Sequence, residues 1–339
     1  MGKVRVLIVD DSSFVRKALF RIFDSDPQIE VAGVASSGRE AIEKLLATGP
    51  DVVTLDINMP GMDGIETLKA IMETRPTPVL MLSQFTKQGA ELTLRALELG
   101  AMDFVDKSST GMMDFFELAQ EIVTKVVSIA GGKPLRAGLS HDTLSGHAAR
   151  GVVDAVAIGS STGGPMALQV LLSRFPRGIS FAVLVVQHMP QGFTGPLAKR
   201  LDTLCDIRVK EAEEGDHVEP GVCLVAPAGH HMTLRRGPDF TRAKLSLEPS
   251  GETHRPSVDV LFSSVARNFG NRSIGVLLTG MGSDGAKGMR EIKESGGFTI
   301  AQNEATSAIF GMPRVAIANK VVDKVLPITS IAEEILQRA

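Results

Sequence analysis

Residues 155–164 read AVAIGSSTGG, a short apolar run that ends in a glycine-rich turn carrying Ser160, Ser161 and Thr162. A helix-like stretch follows at once, with Pro165 suited to its first turn, where a missing amide hydrogen costs nothing. Strand, tight turn and helix in that order form the repeating unit of a parallel α/β sheet. A hydroxyl on such a turn sits among backbone amides at the positive end of a helix dipole. That place suits a serine nucleophile, and equally a bound phosphate. From the turn alone the three hydroxyls compete.

The same rhythm runs outward in both directions. Downstream, strands are expected at Val152–Ile158, Phe181–Val186, Ile274–Leu278 and Phe298–Ala301. Helices are expected at Met166–Phe175, Thr194–Leu204, Val258–Phe269 and Ala286–Ser295, with a last one from Ser330. The turn-rich stretch Gly215–Pro249 suggests hairpin strands in VCLVAPAGHHMTL and AKLSLEP. Upstream, short apolar runs at Val4–Val9, Glu30–Ala35, Val52–Leu55, Val79–Leu82 and Met102–Val105 read as strands buried on both faces. Between them lie amphipathic stripes, one made of Phe14, Val15, Ala18, Leu19, Ile22 and Phe23. Gly131–Arg150 (GGKPLRAGLSHDTLSGHAAR) has no apolar period and reads as a linker.

A chain of 339 residues suits two domains rather than one core. With 43% hydrophobic and 22% charged residues it is globular, and a net charge of −3 argues against non-specific nucleic-acid binding. Cys205 and Cys223 are expected to be reduced. No apolar run is long enough to span a membrane, and VRVLIV stands where a signal peptide would, so a cytoplasmic protein without membrane insertion is expected. The sequence is silent on oligomeric state, and a monomer is the default expectation.

In the first half, Asp10 and Asp11 end the first strand and Asp56 ends the third. In a doubly wound sheet those ends are neighbours, and three converging carboxylates call for a cation. Oxygen ligands select a hard ion such as Mg²⁺. Ser83 after the fourth strand and Lys107 after the fifth add a hydroxyl and an ammonium, a set suited to a phosphoryl group carried on a carboxylate. VLIVDDS, LDINMPGMDG, MLS and DFVDK resemble the receiver domain of two-component response regulators over residues 1–125. The resemblance implies a flavodoxin-like five-stranded parallel domain with Asp56 as phosphoacceptor. It further implies Asp10, Asp11, Asp56 and the Asn58 carbonyl as Mg²⁺ ligands, and Ser83, Phe104 and Lys107 as switch and phosphoryl contacts. A histidine kinase would be the donor. The chain departs from the pattern at Ser108, where receivers usually carry proline; the following loop is therefore expected to lack a cis peptide.

In the second half, FAVLVVQHMP delivers His188 and SIGVLLTGMGSDG leads to Asp284, each past the end of a strand. Ser, His and Asp at three carboxyl ends of one sheet can converge for acyl transfer, which needs no cofactor. His230 and His231 are rival bases. GSSTGG is neither GxGxxG nor a P-loop, so nucleotide binding has little support. AIGSSTGGP, VVQHMP, VAPAGHHM, LLTGMGSDGAKGM and AQNEATSAIFGMP resemble the catalytic domain of chemotaxis protein-glutamate methylesterases. That resemblance implies a mostly parallel α/β domain over 151–339, joined to the receiver by a linker at 126–150. By position Ser161 would be nucleophile, His188 base and Asp284 its orienting carboxylate, with Met281, Thr162 and Gly163 supporting the oxyanion. The implied activity is phosphorylation-dependent hydrolysis of glutamate methyl esters on chemoreceptors, with deamidation of receptor glutamines. The competing expectation is a regulator whose output binds a partner or nucleic acid without chemistry; it requires a basic recognition helix, and the short RVK and LRR clusters do not supply one.

Overall fold

A computed structural model describes residues 2–83, 86–107, 112–132 and 153–339. The chain divides into two compact units, Met1–Ala137 and Gly138–Ala339. The expected linker lies almost wholly outside the described residues, as does Ser108.

The first unit alternates strand and helix: β1 (Val4–Val9), α1 (Ser13–Asp24), β2 (Ile29–Ala35), α2 (Gly38–Thr48), β3 (Val52–Asp56) and α3 (Gly64–Thr74). Then come β4 (Val79–Ser83), α4 (Lys87–Glu98), β5 (Asp103–Asp106) and α5 (Met112–Ile129). The sheet order is β2-β1-β3-β4-β5, every pairing parallel. β3 and β4 are buried along their whole length, as continuous apolar runs between two helical layers must be. The order of strand addition reverses at β1, with β2 on one side of it and β3 on the other, so Asp10, Asp11 and Asp56 meet at the switch point. Helix starts are fixed locally. Ser12 and Ser37 cap α1 and α2, and Asp63 forms a reciprocal capping box with Glu66 at α3.

One residue of the α1 stripe is misplaced by the sequence pattern. Leu19 and Phe23 are buried, but Phe14 is 77% exposed. Phe14 and Phe23 are nine residues apart, which is two and a half turns, so they point to opposite sides.

The second unit opens with β6 (Ala155–Ser160), α6 (Gly164–Leu172), β7 (Ala182–Gln187) and α7 (Thr194–Leu204). β8 (Arg208–Glu211), β9 (Val222–Val225), β10 (His231–Arg236) and β11 (Thr241–Ser246) follow, then α8 (Val258–Phe269) and β12 (Ser273–Leu277). The unit ends with α9 (Ala286–Glu294), β13 (Phe298–Gln302), α10 (Met312–Ala318), β14 (Lys324–Leu326) and α11 (Ile328–Arg338). Seven parallel strands run in the order β14-β13-β12-β6-β7-β9-β8, and β10 and β11 form a separate antiparallel ribbon. VCLV, expected in the hairpin, is instead β9, paired parallel to β7 and β8. Its Cys223 and Leu224 are buried in the sheet. Met232 and Leu234 of β10 join the core cluster that contains Val258, Leu261 and Phe262 of α8. Both cysteines are unpaired. Burial, with Asp202 and Asp206 nearby, pushes the Cys205 thiol up to about 12, and burial also pushes Cys223 well above the usual thiol range, so neither is a nucleophile at neutral pH. No described helix is long and apolar enough to cross a membrane.

Candidate active site and phosphoacceptor pocket

β6 is the pivot of the second sheet, with β7 on one side and β12 on the other. Its last residue, Ser160, is in register with Gln187 at the end of β7. Ser161 and His188 therefore stand side by side, one position beyond the strands, and the His188 amide donates to the Ser160 carbonyl (3.0 Å). The three competing hydroxyls are now distinguished. Ser160 is fully buried and donates to Gln187 Oε1 (2.7 Å), and Thr162 is buried as well. Ser161 is the half-exposed member at the mouth of the turn.

The turn is shaped by two glycines. Gly163 has φ +73°, left-handed backbone that disfavours other residues, and a Cβ there would strike Ala308. Gly280, after β12, lies so close that a Cβ would come within 2.8 Å of Ser161 Cβ and 3.1 Å of its amide nitrogen. The Ser161 amide donates to Thr279 O (3.0 Å) and the Gly164 amide to Ser161 O (2.7 Å). Both amides are engaged, so an oxyanion here would have to be met by others. Met281, half-buried, follows Gly280 on the loop that Gly311 and Met312 hold through amide bonds to Gly280 O.

His188 and Asp284, 96 residues apart, are joined by a 2.8 Å contact between Nε2 and Oδ2. Asp284 is held from four directions. Its Oδ1 accepts from Ser257 Oγ (3.0 Å) and the Asp259 amide (2.9 Å), and its Oδ2 accepts from the Val258 amide (2.7 Å) as well as from His188. The carboxylate thus closes the N-terminus of α8, where amides are unpaired and the dipole is positive. Burial alone would raise its pKa. The His188 hydrogen bond and charge and the α8 amides outweigh that and hold it well below the usual carboxylate range. An ionised Asp284 puts the imidazole hydrogen on Nε2 and leaves Nδ1 as the basic nitrogen. Nδ1 is buried and has no hydrogen-bond partner among the described residues. A buried polar atom left unmatched costs about 1–3 kcal/mol, and such atoms persist where chemistry uses them.

The rival histidines separate clearly. His231 is fully buried; its Nδ1 accepts from the Ser257 amide (3.2 Å) and its Nε2 donates to Pro249 O (3.1 Å). Burial pulls its pKa down, so it stays a neutral structural bracket. His230 is exposed.

Three further groups lie beyond the candidates that the sequence singles out. Gln187, 2% exposed, donates through Nε2 to the carbonyls of both Ser161 and His188 (2.9 Å each) while accepting from Ser160. His254 stacks on His188 with ring centroids 4.1 Å apart, covering one face of the base. Ser257 caps α8 and bonds Asp284. Only Ser257 carries a local signal, a serine just ahead of an apolar-periodic run. Gln187 and His254 are recruited across the fold.

In the first unit, the ligand oxygens of Asp10, Asp11 and Asp56 lie within 4.8 Å of one another. Lys107 bridges two of them, 3.1 Å from Asp10 Oδ2 and 2.8 Å from Asp56 Oδ1. Burial raises the Asp56 pKa, Lys107 opposes this, and Asp10 adds to it. One ammonium among three carboxylates leaves excess negative charge in a set of hard oxygen donors, which fits a Mg²⁺-type ion. The Asn58 amide points at Asp56 Oδ1 (3.4 Å). Ser83 is buried with its hydroxyl 2.8 Å from that of Thr93. Phe104 is 2% exposed, and its carbonyl accepts from Lys125 Nζ (2.6 Å).

Fold and geometry together define a class: an acidic receiver-type pocket on one α/β unit, and a serine-hydrolase-type trio at the strand ends of another. The CheB methylesterase family model matches residues 156–335, and the response regulator receiver domain model matches 6–114. This chain belongs to the CheB methylesterase family and carries a receiver domain ahead of the methylesterase domain. It is 47% identical to a protein-glutamate methylesterase/protein-glutamine glutaminase of Archaeoglobus fulgidus, over 98% of this chain and 97% of that one. It is 43% identical to one of Lawsonia intracellularis, over 98% of each. The crystal structure of the Thermotoga maritima CheB methylesterase catalytic domain covers 55% of this chain and 99% of its own, at 38% identity and a TM-score of 0.54.

Proposed function

We propose that this chain hydrolyses γ-glutamyl methyl esters on chemoreceptors, releasing methanol, and deamidates receptor glutamines by the same route, so that it resets receptor sensitivity in chemotaxis. The observation that carries the reading is the His188–Asp284 bond beside the Ser161 turn, with Nδ1 of the imidazole unmatched. Ser161 Oγ attacks the ester carbonyl as His188 Nδ1 takes its proton, and Asp284 stabilises the imidazolium through Nε2–H. Amides around Thr162, Gly163 and Met281 face the oxyanion, each such donor being worth about 3–4 kcal/mol in comparable sites. His188 returns the proton to the leaving methoxide, and water then frees the glutamate; with glutamine the leaving group is ammonia. His254 keeps water off one face of the base.

Residues 1–125 are read as the receiver, 126–150 as a linker and 151–339 as the catalytic domain. Asp56 takes a phosphoryl group from a histidine kinase. Asp10, Asp11, Asp56 and the Asn58 carbonyl would hold Mg²⁺, which when bound neutralises phosphoryl oxygens. Lys107 contacts the same oxygens, and Ser83 and Phe104 register the new charge, which raises the esterase rate. The protein is read as a cytoplasmic monomer.

The test is methanol release from methylated receptor membranes, with and without a small-molecule phosphodonor, Ser161→Ala serving as blank. Wild-type protein is expected to release methanol faster once phosphorylated, and in Asp56→Ala the phosphodonor no longer changes the rate. Absence of methanol from phosphorylated wild type rejects the hydrolase reading; undiminished stimulation of Asp56→Ala rejects the regulatory one.

A further inference from the structure

Asp259 lies in the first turn of α8, beside the carboxylate that holds His188. Its amide donates to Asp284 Oδ1 (2.9 Å), while its own Oδ1 accepts from the Gly288 amide (2.6 Å) in the first turn of α9. Asp284 in turn immediately precedes Gly285, the N-cap of α9. The two aspartates therefore exchange helices: Asp284, at the entrance to α9, closes α8, and Asp259, on α8, closes α9. Each carboxylate has a positive helix end as its partner. Among the described residues no lysine or arginine pairs with Asp259. The charged groups that act on it most strongly are Asp284, from the loop before α9, and Glu252, from the loop before α8. From α9 itself it faces amides.

We infer that Asp259 is a positioning residue of the hydrolase site: it fixes Asp284 by tying α8 to α9, and its negative charge supports the imidazolium that His188 becomes. This rests on the triad proposed above. Burial, with the Asp284 charge adding to it and the Gly288 and Gly285 amides opposing, raises the Asp259 carboxyl to about 6. Its charge is then present at neutral pH and lost on acidification through that value. The stored repulsion between two carboxylates is relieved when a proton arrives on His188, which is the moment of attack. A lone helix cap would need no charge, since a neutral carbonyl accepts an amide hydrogen equally well in geometry.

The test compares wild type, Asp259→Asn and Asp259→Glu by pH profiles of methanol release. It is paired with NMR titration of His188 in histidine-labelled protein. Asp259→Asn keeps an acceptor for Gly288 and removes only charge. Its acid limb and the His188 midpoint are expected to move down by about half a pH unit, because a less stabilised imidazolium loses its proton more easily. Its plateau kcat is expected to fall about threefold to tenfold with KM within about twofold, the pattern of an interaction made mainly in the transition state. Asp259→Glu, which keeps the charge, is expected to retain the wild-type limb and midpoint whatever its rate. A folded Asp259→Asn with unshifted limb and midpoint overturns the inference, and so does a folded Asp259→Glu that shifts as far as Asp259→Asn. Should Asp259→Asn not fold, Asp259→Ser, which also removes the charge and keeps an oxygen acceptor for the Gly288 amide, is read in its place by the same criteria. An inactive wild type would instead reject the hydrolase reading, and the NMR midpoints would still report on the coupling.

Discussion

Asp284→Asn is expected to lower kcat/KM by about 10³–10⁴-fold, the scale of holding a catalytic histidine in the wrong tautomer. Asp284 offers acceptor oxygens to four donors at once: His188 Nε2–H, Ser257 Oγ and the amides of Val258 and Asp259. An amide side chain has one acceptor end and one donor end. If its NH₂ faces His188, the ring must accept at Nε2 and carry its hydrogen on Nδ1, where it cannot take the serine proton. The same NH₂ then opposes the Val258 amide, leaving two donors face to face at a cost of about 1–3 kcal/mol. If it is flipped, the Ser257 hydroxyl and Asp259 amide lose their acceptor instead, and α8 begins unsealed. Activity and stability should therefore fall together, read by methanol release and by the urea midpoint. A variant within tenfold of wild type would remove Asp284 from the mechanism. The wild-type pKa of Asp284 is depressed on folding, so its contribution to stability is full above the unfolded value of about 4. That contribution is lost as pH falls through the folded value. Asp284→Asn should accordingly show a flatter acid limb of stability than wild type.

Much of this architecture could be read in advance, for a physical reason. Strands buried on both faces, such as Val4–Val9, and amphipathic helices, such as Thr194–Leu204 and Val258–Phe269, carry their burial in their own residue pattern. Elements at the edges do not. β8 is RVKE, half-solvated and charged, β14 is three residues, and α10 is seven; none is long enough to establish a period. The turn chemistry placed Ser161, His188 and Asp284 at strand ends, and the sheet order brought His188 and Asp284 into contact. What stayed hidden was the support. Gln187 reads as one more polar residue after an apolar strand, and its two bonds to the Ser160–Ser161 turn exist only once β6 and β7 are in register. His254 and Asp259 matter because α8 delivers its N-terminus to the end of β12, an arrangement with no local signature. The error at Phe14 has the opposite cause, a stripe drawn wider than the helical period allows.

Gln187→Glu is expected to cut kcat by about 100-fold, close to 2.7 kcal/mol of barrier, while leaving KM nearly unchanged. The substitution is isosteric, so packing is kept and only hydrogen-bond polarity changes. In the native site Nε2 donates to the carbonyls of Ser161 and His188, coupling the turn of the proposed nucleophile to the proposed base. A carboxylate oxygen there would confront two carbonyl oxygens in a buried position, and Ser161 and His188 would separate to relieve it. Loss of both bonds with repulsion in place of attraction also destabilises the fold, by about 2–4 kcal/mol. The sign of the pH effect follows from burial. The introduced carboxyl has a folded pKa raised above its unfolded value of about 4.3, so its penalty is largely absent below that value and complete above the folded one. A protonated carboxyl can donate one of the two missing bonds. Relative to wild type, the variant should regain stability as pH falls. Urea midpoints across pH 4 to 8 would read this, and a constant difference from wild type would mean that Gln187 fills space without joining the two catalytic turns.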